Sequence, residues 1–178
     1  MRKIGLLVSL MMLTLLAPGA SATGSKIGPS EIAFAQGMIP HHEQAVTMAN
    51  LASKYSHNIN VLAIAKSIRA EQTPEITQMQ SWLTRAGIKL HPTSTMSGMD
   101  MGMNGMLNPR QLALLGAARN GAFDRLFLLA MIGHHKGAIQ MASQIANSKF
   151  SEAIILHKNI IKVQTSEISQ MKKFLAAL

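Results

Sequence analysis

The sequence predicts an all-α protein, a four-helix bundle assembled from two copies of one helical hairpin. Apolar residues recur at threes and fours through both halves of the chain, with none of the sustained alternation a strand would show. A shift of 93 residues places Met38, His41, His42, Ala45, Met48 and Ala49 on Met131, His134, His135, Ala138, Met141 and Ala142, and Phe34 on Phe127. A shift of 92 then places Gln72, Glu75, Ile76 and Met79 on Gln164, Glu167, Ile168 and Met171, with Trp82 on Phe174. The residue lost between the copies falls in the turn, where a length change costs least. Two such hairpins cannot each bury an apolar face alone. Packed together, they can.

The elements follow in order. Residues 1–22 begin with Arg2 and Lys3, continue with an apolar run from Ile4 to Ala17, and end with small residues at Ala20 and Ala22. That is the order of a secretory signal peptide, with an apolar run shorter than the ~20 residues of a membrane span. Cleavage is expected after Ala22, leaving residues 23–178 as one domain, exported to the periplasm or secreted. Within it, repeat one covers residues 31–86, a methionine-rich crossover covers 87–108, and repeat two covers 109–178.

The first helix is expected from Ser30 to Lys54, started by Pro29 and Ser30, with a turn from Tyr55 to Asn58. The second runs to Ala86 and stops at Gly87, a residue suited to a left-handed cap. Asn108 and Pro109 read as an N-cap followed by proline at the first helical position. The short helix they open is expected to end at Asn120-Gly121. A long helix resumes near Ala122, the chain turns at residues 147–151, and the last helix runs from about Glu152 to the C-terminus. Pro40 and Pro74 argue against uninterrupted helices, since each removes a hydrogen bond. Their repeat partners, Gly133 and Ser166, show that a bend is tolerated there and not required.

Composition narrows the function. The chain carries 17 Lys and Arg against 8 Asp and Glu, with one Tyr and one Trp. So few aromatics offer little to stack on bases, and an exported protein does not meet chromosomal DNA. The charge therefore reads as a solvated basic surface, with no nucleic-acid partner and at most peripheral membrane contact. There are 14 Met and no Cys. No disulfide supports the core, although an oxidising compartment would permit one.

The methionines and histidines share faces. Met38, His41, Ala45 and Met48 follow one helical stripe, with His42 beside it, and Met131, His134, Ala138, Met141 and His135 repeat the arrangement. Met79 and Met171 lie four residues after Glu75 and Glu167, where a bundle can bring each near the histidine pair of its own half. Methionine at this spacing is usually core filler. Two copies that keep both histidines and all three methionines point instead to ligation, at one site in each half. Imidazole nitrogen with thioether sulfur suits Cu(I) and its mimic Ag(I), whereas zinc more often recruits cysteine or carboxylate.

The crossover adds Met96, Met99, Met101, Met103 and Met106 among Gly, Ser and Asn. Such a segment is expected to pack nothing, so its thioethers are further candidate Cu(I) ligands. They cannot cross-link, and their weakness is oxidation to the sulfoxide. His57 and His157 have no histidine repeat partner and read as structural or surface residues; His91 stays open.

The doubled M-I-x-H-H-x-x-A-x-x-M-A, each copy followed by Q-x-x-E-I-x-x-M, resembles the DUF305 family of ferritin-like helical proteins over residues 31–86 and 122–175. The resemblance implies a four-helix bundle, export, and Cu(I) or Ag(I) binding in copper resistance or homeostasis. Carried over residue by residue, it points to Met38, His41, His42, Met48 and Met79, and to Met131, His134, His135, Met141 and Met171. Copper ions are then the cargo, with a copper efflux or delivery protein as a conceivable partner.

Two other classes compete. A ferritin-like di-metal oxidase needs Glu-x-x-His on two helices, and no glutamate here has a histidine three residues later. HHEQAV also lacks the second histidine of H-E-x-x-H, and the chain reads as no enzyme. A methionine-rich module that binds partner helices without metal would explain the methionines but not the repeated histidine pairs.

Overall fold

Gly28 opens the first helix, its N–H satisfied by Glu31 Oε2 at 2.9 Å. In the computed structural model, which describes residues 26–89 and 104–178, that helix is α1, Pro29–Tyr55. Asn58 caps α2, Ile59–Arg85, by accepting from the N–H groups of Asn60 and Val61, and Gly87 ends it at φ +72°. Asn108 and Gln111 exchange side-chain-to-backbone hydrogen bonds, a capping box with Pro109 at the first helical position of α3, Pro109–Ala117. α4 spans Asn120–Ala142 and α5 spans Ser151–Ala176, joined through a short 3-10 helix at Ser143–Ile145. No strand occurs among the described residues. The expected signal peptide lies outside them, as does most of the crossover. No described helix is long and apolar enough to cross a membrane.

Two expectations need correction. Asn120-Gly121 opens α4 instead of closing α3, which stops at Ala117. Asn120 has φ +51°, and an asparagine that tolerates the left-handed region serves either end of a helix. Pro40 and Pro74 also fail to interrupt α1 and α2. Pro40 is itself buried, so packing on both sides of it outweighs the hydrogen bond its ring removes.

α1 pairs with α2 and α4 with α5 as hairpins, and α1 packs against α4 across the middle. The core divides into two apolar clusters. One holds Met48, Ile64, Ile68, Phe123, Phe127, Met131 and Met171. The other holds Phe34, Met38, Met79, Trp82, Met141, Leu156 and Ile160. α1 and α4 run through them in opposite senses, as do α2 and α5. Between the clusters, the long helices bring together the buried His41, His42, Gln72, His134, His135, Gln164 and Glu167, with Glu75 half-buried beside them. The bundle is an apolar core cut by one polar layer.

Replacing Asn108 by alanine is expected to cost ~1 kcal/mol of stability, the usual effect of losing a cap. Chemical denaturation checks this. The clusters, each filled by aromatic, Met and branched side chains, should also fold the bundle with no ion present. Apo-protein that gains its helical circular dichroism only on metal addition would contradict that.

Candidate metal centre

Consecutive histidines on a helix point about 100° apart, so each pair covers two directions within the layer. The rings of His41 and His42 have centroids 6.3 Å apart, and those of His134 and His135 6.4 Å. The crossing of α1 and α4 brings His41 against His134, with centroids at 3.8 Å. All four rings are 0% exposed. The expectation of one site per half is therefore revised. Both pairs lie in one central layer, because the hairpins cross at the histidines.

Two carboxylates orient the outer rings. His42 Nε2–H donates to Glu75 Oε2 and His135 Nε2–H to Glu167 Oε2, both at 2.8 Å. Glu167 Oε1 is held in turn by the Ser67 hydroxyl at 2.9 Å. His41 Nε2–H donates to the Asn104 carbonyl at 3.1 Å; a carbonyl can only accept, so this tautomer is fixed by its partner. Among the described residues, no hydrogen-bond partner reaches Nδ1 of His41, His42 or His135, or either nitrogen of His134. Those five nitrogens are buried and unsatisfied.

Burial dominates the electrostatics. It lowers His41 to about 4, with the Asn104 carbonyl opposing, and His42 to about 3, with His135 adding to the effect. His134 falls well below the ordinary imidazole value for the same reason, and the main chain of His41 lies near enough to oppose the fall without hydrogen-bond geometry. Burial raises the Glu75 carboxyl to about 7, with Glu167 adding to it and His135 opposing. The His42–Glu75 contact has the length of an ion pair. With the ring kept neutral, it is a hydrogen bond that leaves the Nδ1 lone pair free.

Met38, Met48, Met79, Met131 and Met171 are fully buried and Met141 nearly so. They flank the layer in the two clusters, three to each: Met38, Met79 and Met141 on one side, Met48, Met131 and Met171 on the other. Each trio mixes the two repeats, which the opposite sense of α1 and α4 explains. Met106 is half-buried, whereas Met96, Met99, Met101 and Met103 lie outside the described residues, as does His91. His57 is exposed. His157 Nδ1–H donates to the Ala142 carbonyl at 2.9 Å and ties α5 to the end of α4. Among the described residues, no three His, Cys, Asp or Glu side chains are arranged to hold a metal ion. Ligation by this layer thus needs thioethers beside the imidazoles, or ring rotation.

Glu75, Glu167, Gln72 and Gln164 belong to the layer, yet the ligand set drawn from the sequence omits them. Their signal was the repeat itself, which carries Q-x-x-E twice. Gln72 and Gln164 are both 2% exposed, and neither end of either amide has a partner among the described residues.

The chain matches the family described as "Domain of unknown function (DUF305)" over residues 31–175. No curated protein matches it. Among solved structures, a DUF305 fragment from Deinococcus radiodurans is 28% identical, covering 86% of this chain and all of its own, with a TM-score of 0.74. A DUF305 protein from Streptomyces coelicolor is 27% identical over 83% of this chain and 93% of its own, also at 0.74. CopM in its Cu(I)-bound form is 30% identical over 83% of this chain and 96% of its own, at 0.69; that protein has also been solved with Cu(II), with Ag and in the apo form. By the match over both hairpins and the all-α fold shared with these structures, this chain belongs to the DUF305 family.

Proposed function

We propose that the protein is an exported binder of Cu(I), and of Ag(I) as its mimic, that holds the ion at the histidine layer and serves copper resistance or homeostasis. One observation carries this reading: five buried imidazole nitrogens without hydrogen-bond partners, two of them on rings whose far side is fixed by a carboxylate. A carboxylate that accepts the other ring N–H of a metal-ligating histidine sets both ring orientation and tautomer. Buried polar groups are otherwise satisfied. The thioethers in the flanking clusters supply soft donors, and imidazole with thioether favours a soft monovalent ion over Zn²⁺ or Mg²⁺. The forms in which CopM has been solved support the same choice.

Met96, Met99, Met101, Met103 and Met106 join the proposal from sequence alone, as a capture stretch for the ion. Binding without catalysis is part of the reading, and so is handover to an efflux or delivery protein. The test is anaerobic Cu(I) titration of the apo-protein against a competing chelator, with Ag(I) and Zn²⁺ in parallel. Retention of at least one equivalent of Cu(I) and Ag(I), each tighter than Zn²⁺, is expected. Zn²⁺ bound as tightly as Cu(I) would refute the soft-ligand assignment.

A further inference from the structure

The two repeats differ where one piece of chain touches them. Repeat one has Pro40 and Gln44; the aligned positions of repeat two are Gly133 and Gly137. Glycine is the poorest ordinary helix former, yet two sit one turn apart in the middle of α4. Contact explains Gly137, whereas a Cβ on Gly133 would meet nothing. A Cβ on Gly137 would collide with the Asn104 carbonyl, and the backbone of Gly105 passes so near the Gly133 carbonyl that Gly105 cannot carry a Cβ either. Gly105 also has φ +80°, a conformation that glycine adopts without strain.

From the other side, Gln44 grips Leu107 twice. Its Nε2–H donates to the Leu107 carbonyl at 2.8 Å, and its Oε1 accepts from the Leu107 N–H at 2.7 Å. The Asn104 carbonyl takes the hydrogen bond of His41, and Asn108 then caps α3. The crossover's last residues are therefore built into the bundle, contrary to the expectation that this segment packs nothing.

We propose that residues Asn104–Leu107 form a positioning strap for the metal site. The Asn104 carbonyl holds His41 as its Nε2–H tautomer, which keeps the Nδ1 lone pair for the ion, and the docked strap closes the layer between α1 and α4. The proposal rests on the copper and silver reading above. His42 and His135 receive the same orientation from Glu75 and Glu167, which are fixed on helices. His41 receives it from a loop, held at Gln44 and seated on two glycines. The rings are fully covered, so an ion can reach them only if something moves. Lifting four residues of loop disturbs far less packing than parting two helices.

Gly137→Ala tests this, since its methyl group would run first into Asn104 while alanine favours the helix. In the apo-protein, ¹⁵N spectra of the imidazoles should show His41 leaving the fixed Nε2–H state, with His42 and His135 unchanged. Ag(I) release to a thiol competitor should become about tenfold faster, because weakened closure acts mainly on dissociation. Gly105→Ala, outside every helix, should reproduce both effects. Gly116→Ala, where a methyl group meets nothing, should reproduce neither. A Gly137→Ala protein whose His41 keeps its tautomer, or that releases Ag(I) at the wild-type rate, overturns the proposal. If the wild-type protein does not retain Ag(I), the copper reading fails on its own, and the His41 tautomer in the apo-variants still decides the strap's positioning role.

Discussion

His134→Leu is expected to abolish Cu(I) and Ag(I) retention by the histidine layer while leaving the apo-bundle as stable as before, or more so. Neither ring nitrogen of His134 has a hydrogen-bond partner, so leucine strands nothing. It also removes a buried polar group whose unmet hydrogen bonds cost ~1–3 kcal/mol. His42→Leu should behave differently. It leaves the Glu75 carboxyl without its 2.8 Å partner and should cost about 1–3 kcal/mol, much of it recovered when Glu75 is changed to leucine as well. Because His41 and His134 face each other, replacing either pair by leucine should empty the shared layer, not halve its capacity. Stability from denaturant unfolding, read beside Ag(I) stoichiometry, separates these outcomes. A His134→Leu protein that loses more than ~3 kcal/mol and still binds would make the ring structural.

The apo-protein should also lose stability steeply in acid. His41 and His42 are held near 4 and 3 in the fold, against about 6.5 in an unfolded chain. The unfolded state thus binds more protons between those values, and stability falls with pH from about 6.5 downward. His134 shifts in the same direction. Glu75 opposes them. Its carboxyl, raised to about 7, contributes stability that is present below its unfolded value of about 4.5 and lost as pH rises through 7. Acidification between 7 and 4.5 therefore sets three imidazoles against one carboxyl, and below 4.5 the imidazoles act unopposed. The melting temperature should fall from about pH 6.5 downward, and more steeply once pH drops below about 4.5. Saturation with Ag(I) should move the acid midpoint lower, because the ion binds only the neutral rings. An apo-protein as stable at pH 4 as at pH 7 would contradict the buried, neutral layer.

Much of this could be read from the sequence because it was written twice. The shifts of 93 and 92 residues mark out the hairpins, and Gly87, Asn108 and Pro109 mark helix ends through local chemistry that operates without tertiary context. Asn120-Gly121 misled for the same reason, since a residue at positive φ serves a helix start as well as an end. Residue types and spacing singled out the histidines and methionines as candidate ligands. Their division into one site per half did not hold, because the crossing that puts His41 on His134 depends on how two hairpins pack. Glu75 and Glu167 were visible as repeat partners, but their role requires a ring from another helix. The strap was hidden most deeply. Nothing in the sequence marks Gly137 as the place where the Asn104 carbonyl lies against α4.

X-ray absorption at the copper edge, on protein loaded anaerobically with one equivalent of Cu(I), tests the central claim most directly. The account predicts imidazole scattering together with sulfur in the wild-type spectrum, and loss of the imidazole component in His134→Leu. A wild-type spectrum with sulfur ligands alone, unchanged in that variant, would place the ion among the methionines and contradict the histidine layer as its site.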